Sequence, residues 1–279
     1  MLRLGFTEST LLFYYYLENI LLFDLSKNNI LISKKCLINW LYSTSGFYDK
    51  SINGTYFDFD ETEVIKSRCY NYYFSNLLKI INECKTDVQL CFHNLPKELD
   101  CKKKEFISYL QCENKGEPLT HQTSFVHKFV ANKRLLIINN LGVLMKQQYE
   151  NGNLKKINDF PEIMSIDYIN PGYTWLNNKN GSDNNFIESF QKICRNVDNV
   201  IDNFDVVIIS VGAYSAFIYH YITKTKRKEC AVFGGELYKH FGISIQRSNP
   251  TRIEIPHFIF VPDELKPKDY EQIEGGCYW

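Results

Sequence analysis

Short apolar runs alternate with amphipathic segments through the second half of the chain. Three runs are continuously apolar and end in polar residues or glycine, a pattern typical of buried strands. They span 134–139, 205–210 and 230–233. The segments that follow have apolar residues at helical spacing, over 141–150, 184–201 and 213–223. Apolar strands that alternate with helices predict an α/β fold with a mainly parallel sheet and helices on both faces.

The first half of the chain is less regular. A helix is predicted from Thr7, which can cap it, to about Phe23, and its apolar residues lie all round, which indicates burial on most sides. The other predicted elements are a helix over 64–80 after a capping box at 60–63, helices over 102–111 and 125–130, and strands over 88–92 and 162–169. No repeat or linker interrupts the chain, so one domain is predicted over residues 1–279.

Composition narrows the class of protein. The chain has 279 residues, with 44% hydrophobic and 23% charged, which are ordinary globular values. Lys and Arg together balance Asp and Glu, 32 against 32, which argues against a strongly basic nucleic-acid-binding protein. No run is long and clean enough to predict a membrane span. The nine cysteines have neither CxxC nor zinc spacing, so reduced thiols and a cytoplasmic location are predicted.

The stretch 206–215 is the strongest local signal for a binding site. A hydrophobic strand enters a turn at Gly212, and a helix begins at once with Ala213, Tyr214 and Ser215. The unbonded N–H groups at the start of a helix suit a phosphate. The single glycine matches neither the dinucleotide-binding GxGxxG pattern nor the P-loop, which disfavours both classes. A plain tight turn between strand and helix explains the same residues.

Gly234 and Gly235 end the next predicted strand and are followed by Glu236. A glycine pair lets the backbone approach a ligand closely. Glu236 would then lie at the rim of the sheet, where a carboxylate can serve as a base or hold a ribose hydroxyl. The alternative is a carboxylate stabilised by the dipole of the helix that it begins.

Arg3, Gly5, Thr7 and Glu8 lie at the start of the first helix. Glu8 is a candidate ligand for a metal or a sugar, and Arg3 is a candidate counter-charge for a diphosphate. A helix cap beside an exposed arginine is the alternative interpretation. The chain contains no GxSxG, HExxH or DxD motif, and no two histidines are spaced four residues apart.

Taken together, these stretches resemble GT-D-fold glycosyltransferases. Arg3, Gly5 and Glu8 match the spacing of the opening R-x-G-D-G-E motif of that family, although Phe6 stands where the family has Asp. The stretches 205–215 and 230–236 resemble its late strand–glycine–helix step and its following strand and glycine turn. The chain is more similar still to GT-D-like proteins of large DNA viruses and some bacteria. The shared segments are 46–48, 134–148, 234–235, 241–243 and 274–279.

The resemblance implies a Rossmann-like domain that moves a sugar from a nucleotide-sugar, a UDP-sugar first of all, to a hydroxyl of a glycan or protein. If the protein is viral, its location is the host cytoplasm. Catalysis is assigned to Glu8 and to Glu236, the latter as the base. Donor binding is assigned to Arg3, Gly5, Thr7, Gly212, Ala213, Tyr214, Ser215, Gly234, Gly235 and Arg247.

The family holds a divalent metal, Mn²⁺ or Mg²⁺, near an Asp-x-Glu motif. Here Glu8 is the matching ligand and Phe6 has replaced the Asp, so Arg3 is a candidate substitute for the charge of the metal. Two other classes stay open: a catalytically inactive sugar-binding or structural relative, and another Rossmann-like transferase such as a methyltransferase. Hydrolysis of UDP-sugars with and without manganese, and binding of adenosylmethionine, discriminate between them.

Overall fold

The computed structural model describes residues 1–4, 6–21, 68–84, 88–90, 92, 95, 97–110, 123–157, 159–173, 186–272 and 276–279. The chain divides into two compact units. The first comprises Met1–Gly116, Thr174–Glu188 and Gly212–Phe217, and the second comprises Glu117–Tyr173, Ser189–Val211 and Ile218–Trp279. Gly5, the capping box at 60–63 and the segment 46–48 lie outside the described residues. The single domain over 1–279 stays a prediction.

The predicted strands occur in the structure in the predicted order, and β1, β7 and β8 are additional strands that the sequence did not predict. The strands are β1 (Leu2–Leu4), β2 (Val88–Leu90), β3 (Arg134–Ile138), β4 (Ser165–Ile169), β5 (Val206–Ile209), β6 (Glu229–Val232), β7 (Ile243–Ser244) and β8 (Ile259–Phe260). The α-helices are α1 (Phe6–Asn19), α2 (Arg68–Cys84), α3 (Asp100–Leu110), α4 (Thr123–Val130), α5 (Gly142–Glu150), α6 (Phe186–Asp198), α7 (Ser215–His220) and α8 (Glu236–His240). No helix within these described ranges is long and apolar enough to cross a membrane.

The first unit is built from α1, α2, α3 and the short parallel pair of β1 and β2. The predicted burial of α1 on most sides is confirmed, since Leu11, Leu12 and Phe13 are fully buried. The predicted cap at Thr7 is wrong, because β1 extends to Leu4 and α1 already begins at Phe6. Thr7 is therefore the second residue of the helix.

The second unit contains a four-stranded parallel sheet in the order β4-β3-β5-β6. The prediction that the strands near 134, 205 and 230 share one sheet is confirmed. Residues 135–138 and 206–209 are at most 1% exposed. Because successive residues of a strand point to opposite faces, both faces of these central strands are covered. The chain therefore has an α/β fold with a buried parallel sheet.

The strand order reverses direction at the middle of this sheet. The chain goes from β3 to β4 on one side, and it then returns to place β5 and β6 on the other side of β3. The register aligns Ile138, Ile209 and Val232, so β3, β5 and β6 end at one common edge. In open α/β sheets, ligands bind beyond the carboxyl ends of the strands at such a reversal. The sheet order thus places a candidate site between the ends of β3 and β5.

A buried glutamine joins α5 to the segment after α8. The Gln148 Nε2 atom donates to the carbonyl oxygens of Gly242, at 2.9 Å, and of His257, at 2.7 Å. Gly242 has a φ of +68°, and a Cβ there would lie 2.6 Å from Gln148 Nε2 and would also overlap Ile157. Only glycine fits this position. The glutamine of segment 134–148 and the glycine of segment 241–243 are therefore one packed structural unit.

Candidate functional site

Asn139 closes the gap between β3 and β5 at the carboxyl edge of the sheet. It directly follows β3, is 1% exposed, and its Nδ2 donates to the Ser210 carbonyl at 2.6 Å and to the Tyr238 hydroxyl at 3.3 Å. Its Oδ1 accepts from the backbone N–H of Leu141 at 2.7 Å. One side chain thus ties together β3, the end of β5, α8 and the start of the turn into α5. Its role in this arrangement is structural.

Asn140, the next residue, contrasts with its neighbour. Its side-chain Oδ1 is buried and accepts no hydrogen bond from any residue in the described part of the chain. A buried acceptor without a donor costs free energy, so such atoms in native proteins call for an explanation. Asn140 lies beyond the carboxyl end of β3, beside the strand reversal. A ligand that donates a hydrogen bond would satisfy it.

The glycine pair lies at the same edge, as the predicted strand positions require. The Ser210 hydroxyl donates to the Gly234 carbonyl at 3.3 Å, so the residues after β5 and β6 are side by side. A Cβ at Gly235 would lie 3.1 Å from Cε1 of Tyr278. The close approach that the sequence analysis assigned to a ligand is thus made, at Gly235, by an aromatic side chain.

Arg247 reaches this edge through the same tyrosine. Its Nη1 donates to the Tyr278 hydroxyl at 2.8 Å, and its guanidinium carbon lies 5.7 Å from the centre of the Tyr278 ring. Its backbone N–H donates to the Cys277 carbonyl at 2.7 Å. The structure therefore brings Gly235 and Arg247 together, with Tyr278 between them. Arg247 is exposed and supplies positive charge there.

Two tyrosines near this edge, the buried Tyr238 and the half-buried Tyr173, stay neutral. Burial raises the pKa of Tyr238 to about 12, although its hydrogen bond with Asn139 acts in the opposite direction. Burial also raises the pKa of Tyr173, whose hydroxyl donates to the Leu265 carbonyl at 2.8 Å. Neither phenol carries negative charge at physiological pH. The edge is therefore compatible with an anionic ligand.

Glu236 is the first residue of α8 and directly follows the glycine pair. Its side chain is exposed and makes no hydrogen bond or ion pair with another described residue. The start of a helix stabilises a carboxylate. Glu236 is thus an accessible carboxylate next to the carboxyl edge of the sheet.

In the first unit, Glu8 lies in the first turn of α1 and is only 8% exposed. The pKa of the fully buried Tyr73 is raised well above its ordinary value by burial and further by the charge of Glu8. The Tyr73 ring lies 5.3 Å from Phe186 and 5.1 Å from Phe217. Phe186 in turn stacks on Tyr214 at 4.4 Å. Glu8 and the turn after Gly212 therefore border one aromatic cluster of Tyr73, Phe186, Tyr214 and Phe217.

The turn after β5 differs in detail from the predicted single helix. Gly212 is exposed at a φ of +55° and begins a 3₁₀ turn, Gly212–Tyr214, before α7 and a π-helical end at Tyr221–Thr225. The positive φ explains the glycine. Ala213, Tyr214 and Ser215 are buried, so their side chains serve packing.

Arg3 lies in β1, opposite Gln89, and not in the first helix. Its Nε atom is buried and donates to no described residue. Thr7 lies inside α1, and Gly5 is outside the described residues. The motif that the sequence analysis placed at a helix start thus spans a strand and a helix.

The described residues do not supply the donor set of a divalent metal. Nowhere among them do three His, Cys, Asp or Glu side chains come together. Five cysteines whose side chains the structure describes are thiols: Cys84, Cys101, Cys194, Cys230 and Cys277.

Three residues at the edge escaped the sequence analysis: Asn139, Asn140 and Tyr278. The first two follow an apolar strand directly, and that position was the available signal. Tyr278 lies in the segment 274–279, but its contacts with Gly235 and Arg247 have no local sequence pattern.

We compared the chain with protein families, with curated proteins and with solved structures, and none of them matches. The resemblance to GT-D-fold glycosyltransferases therefore rests on the short motifs and stays a prediction.

Proposed function

We propose that the protein is a glycosyltransferase that binds a nucleotide-sugar at the carboxyl edge of its four-stranded sheet. The observation that carries this proposal is the buried, unsatisfied acceptor of Asn140 beside the strand reversal. Glycines, neutral hydroxyls and the exposed Arg247 surround the same edge. Together they offer hydrogen-bonding groups and positive charge to a polar, anionic ligand. The motif resemblance selects a UDP-sugar among such ligands.

In the proposed complex, each group at the edge has one task. Arg247 pairs with the diphosphate, since a guanidinium suits phosphate oxygens. The backbone at Gly234 approaches the ligand closely, because it has no side chain. Asn140 accepts a hydrogen bond from a ligand N–H or O–H group. The proposal includes a Rossmann-like, GT-D-like domain and a cytoplasmic location, which the cysteine pattern supports.

The proposed reaction uses two residues of the carboxyl edge, Glu236 and Arg247. Glu236 takes the proton of the acceptor hydroxyl while that oxygen bonds to the anomeric carbon of the sugar. The bond from the anomeric carbon to the diphosphate oxygen breaks, and its electron pair leaves with the nucleoside diphosphate. Arg247 offsets the negative charge that develops on the leaving group. The acceptor is a hydroxyl of a glycan or a protein.

A thermal-shift screen against nucleotide-sugars tests the proposal, followed by hydrolysis assays with and without Mn²⁺. Arg247→Met removes the proposed phosphate partner, and we expect affinity for the donor to fall about tenfold or more. Arg195→Met, at the exposed end of α6, is the matched control and should keep wild-type affinity. A wild-type protein that binds no nucleotide-sugar contradicts the proposal.

Glu8→Gln tests the assignment that comes from the motif. The change keeps size and removes charge, so we expect transfer to fall about 10²-fold or more if Glu8 acts on the donor. A purely structural Glu8 would instead affect stability and leave activity unchanged. Thermal melting and initial rates, measured on the same samples, separate the two outcomes.

The same assays distinguish the other classes. Tight binding of UDP-sugars without turnover, with or without Mn²⁺, indicates an inactive sugar-binding relative. Binding of adenosylmethionine in place of nucleotide-sugars indicates a methyltransferase.

A further inference from the structure

The last residues of the chain take part in the carboxyl edge of the sheet. Tyr278 lies against Gly235 on one side, where a Cβ would come within 3.1 Å of its ring. On the other side it accepts the hydrogen bond from Arg247 Nη1 at 2.8 Å, with the cation 5.7 Å from the ring centre. Its ring centre lies 6.4 Å from that of Tyr238. Tyr278 thus links the glycine turn, α8 and Arg247.

The backbone holds the two segments in fixed alignment. The N–H of Arg247 donates to the carbonyl of Cys277, the residue before Tyr278, at 2.7 Å. The arginine and the tyrosine therefore start from neighbouring backbone positions, and their side chains meet at their tips.

We propose that Tyr278 is a positioning residue that holds the Arg247 guanidinium in place for a ligand diphosphate. This role rests on the proposed function, because it needs an anion at this edge. An exposed arginine loses rotamer freedom when it binds a phosphate, and a side chain that is already held loses less. The Tyr278 hydroxyl and ring hold it by a hydrogen bond and a cation–π contact.

The glycine at 235 fits the same role. A Cβ there would lie 3.1 Å from the ring, so the Tyr278 ring that contacts Arg247 would have to shift by a few tenths of an ångström. Gly235 has a φ of −60°, which every residue adopts easily, so its backbone conformation does not require glycine. The close contact with the Tyr278 ring is what favours glycine at this position.

Tyr278→Phe is the direct test, since it keeps the ring and removes only the hydroxyl. The probes are UDP, inorganic pyrophosphate and uridine, with binding measured by calorimetry on the full chain. We expect the Kd for UDP and for pyrophosphate to rise about fivefold, the scale of one partly exposed hydrogen bond, and the Kd for uridine to stay unchanged. A merely structural tyrosine would weaken all three ligands or none.

Two further variants sharpen the result. In an Arg247→Met background, Tyr278→Phe should cause no additional loss, because its target is gone. Tyr149→Phe is the matched control: it also removes a hydrogen-bonded phenol hydroxyl, in this case a donor to the Ile163 carbonyl at 3.2 Å, and it should not alter binding.

The outcomes separate the two proposals. Equal binding of UDP by wild type and Tyr278→Phe overturns the positioning role and leaves the proposed function standing. Loss of pyrophosphate binding in Tyr278→Phe, in a protein that transfers no sugar, supports the positioning role and contradicts the proposed function. A wild-type protein that binds neither UDP nor pyrophosphate overturns both.

Discussion

The two ends of the four-stranded sheet are built from different chemistry. At the amino end, charged side chains pair with one another. At the carboxyl end, amides, hydroxyls and glycines are joined by neutral hydrogen bonds, and the exposed charged residues Arg247 and Glu236 lie beside them. Between the two ends, residues 135–138 and 206–209 of the central strands are buried and apolar.

The amino end has its charges matched. The Arg134 side chain donates two hydrogen bonds to Asp205, from Nη2 to Oδ1 at 2.6 Å and from Nε to Oδ2 at 3.1 Å. The Arg134 backbone N–H also donates to Oδ2, at 2.8 Å. Lys133 pairs with Glu229 at 2.7 Å, which joins the start of β6 to the residue before β3. Satisfied pairs of this kind align strands and leave little for a ligand to gain.

The carboxyl end is less complete. Asn139 has donors and acceptors for its whole amide, whereas Asn140 has a buried acceptor that no described residue satisfies. The contrast separates an end of the sheet that aligns its strands from the end at which we propose that a ligand binds. Four substitutions, taken in order of expected effect, test this division.

Asn139→Ala should be the most damaging change. It removes two donated hydrogen bonds and leaves the Leu141 N–H without its acceptor in a buried place. We expect the free energy of unfolding to fall by about 3 kcal/mol, as for the loss of a buried hydrogen-bonded group. Urea denaturation measures it. Asn203→Ala, at an exposed position, is the control and should change stability little. Stability equal to wild type would show that the edge does not depend on Asn139.

Glu236→Gln tests the carboxylate beyond the carboxyl end, and Glu229→Gln tests the carboxylate at the amino end. We expect the first to lower transfer about 10²-fold, because the proposed base is lost, and to leave stability near wild type. The second should leave transfer unchanged, since it removes only an exposed ion pair. Initial rates with one donor and one acceptor measure both. Equal activity in the two variants would remove Glu236 from the mechanism.

Asn140→Ala should behave in the opposite way to Asn139→Ala. The change removes a buried acceptor that has no donor, so unfolding free energy should stay constant or rise. Binding of the donor should weaken about tenfold, since the ligand loses a hydrogen bond. Calorimetry and urea denaturation on one preparation give both numbers. A loss of stability as large as that of Asn139→Ala would show that Asn140 is structural.

Asp205→Asn should have the smallest effect, and a pH-dependent one. Hydrogen bonds from Arg134 hold the pKa of Asp205 well below its usual range. A lowered carboxyl pKa stabilises the fold above the unfolded-state pKa of about 4, and this contribution is lost as pH falls through the folded value. The urea midpoints of variant and wild type should therefore differ at pH 7. They should approach each other progressively as the pH falls from about 4 towards the lower folded-state pKa of Asp205. Asp202→Asn is the exposed control. A constant difference at all pH values would contradict the ion pair.

The sheet could be predicted from sequence because its central strands, β3 and β5, are buried on both faces. Continuous apolar runs such as 206–209 contain no polar residue, and this pattern is typical of a buried strand. The strand β2 lies within the predicted segment 88–92, whereas β1, β7 and β8 have no sequence signal, since two or three residues hold too little pattern. The prediction of a helix start at Arg3 is therefore wrong, because Leu2–Leu4 forms β1.

The candidate site was predictable only in part. The glycines after β5 and β6 predict turns. Because the strands are parallel, their carboxyl ends lie at one edge of the sheet. The strand order, which makes the gap between β3 and β5 the point of reversal, depends on pairing between distant segments. Asn139 and Asn140 are also consecutive residues of the same type, so the sequence does not assign them different roles. Only the three-dimensional turn decides which amide points into the protein and which is left unsatisfied.

The reversal of strand order also has a consequence for how the protein folds. Asn139 and Ser210, joined across it, are 71 residues apart in sequence, with all of β4 and α6 between them. Contacts of such long range must overcome the entropy of closing a large loop before they contribute any stability, and they slow folding. The β3–β4 pair can form early from a shorter stretch of chain, but the gap between β3 and β5 exists only after β5 has been made. A partly synthesised chain that ends before β5 therefore lacks this gap, and binding of the proposed ligand would report on completion of the sheet.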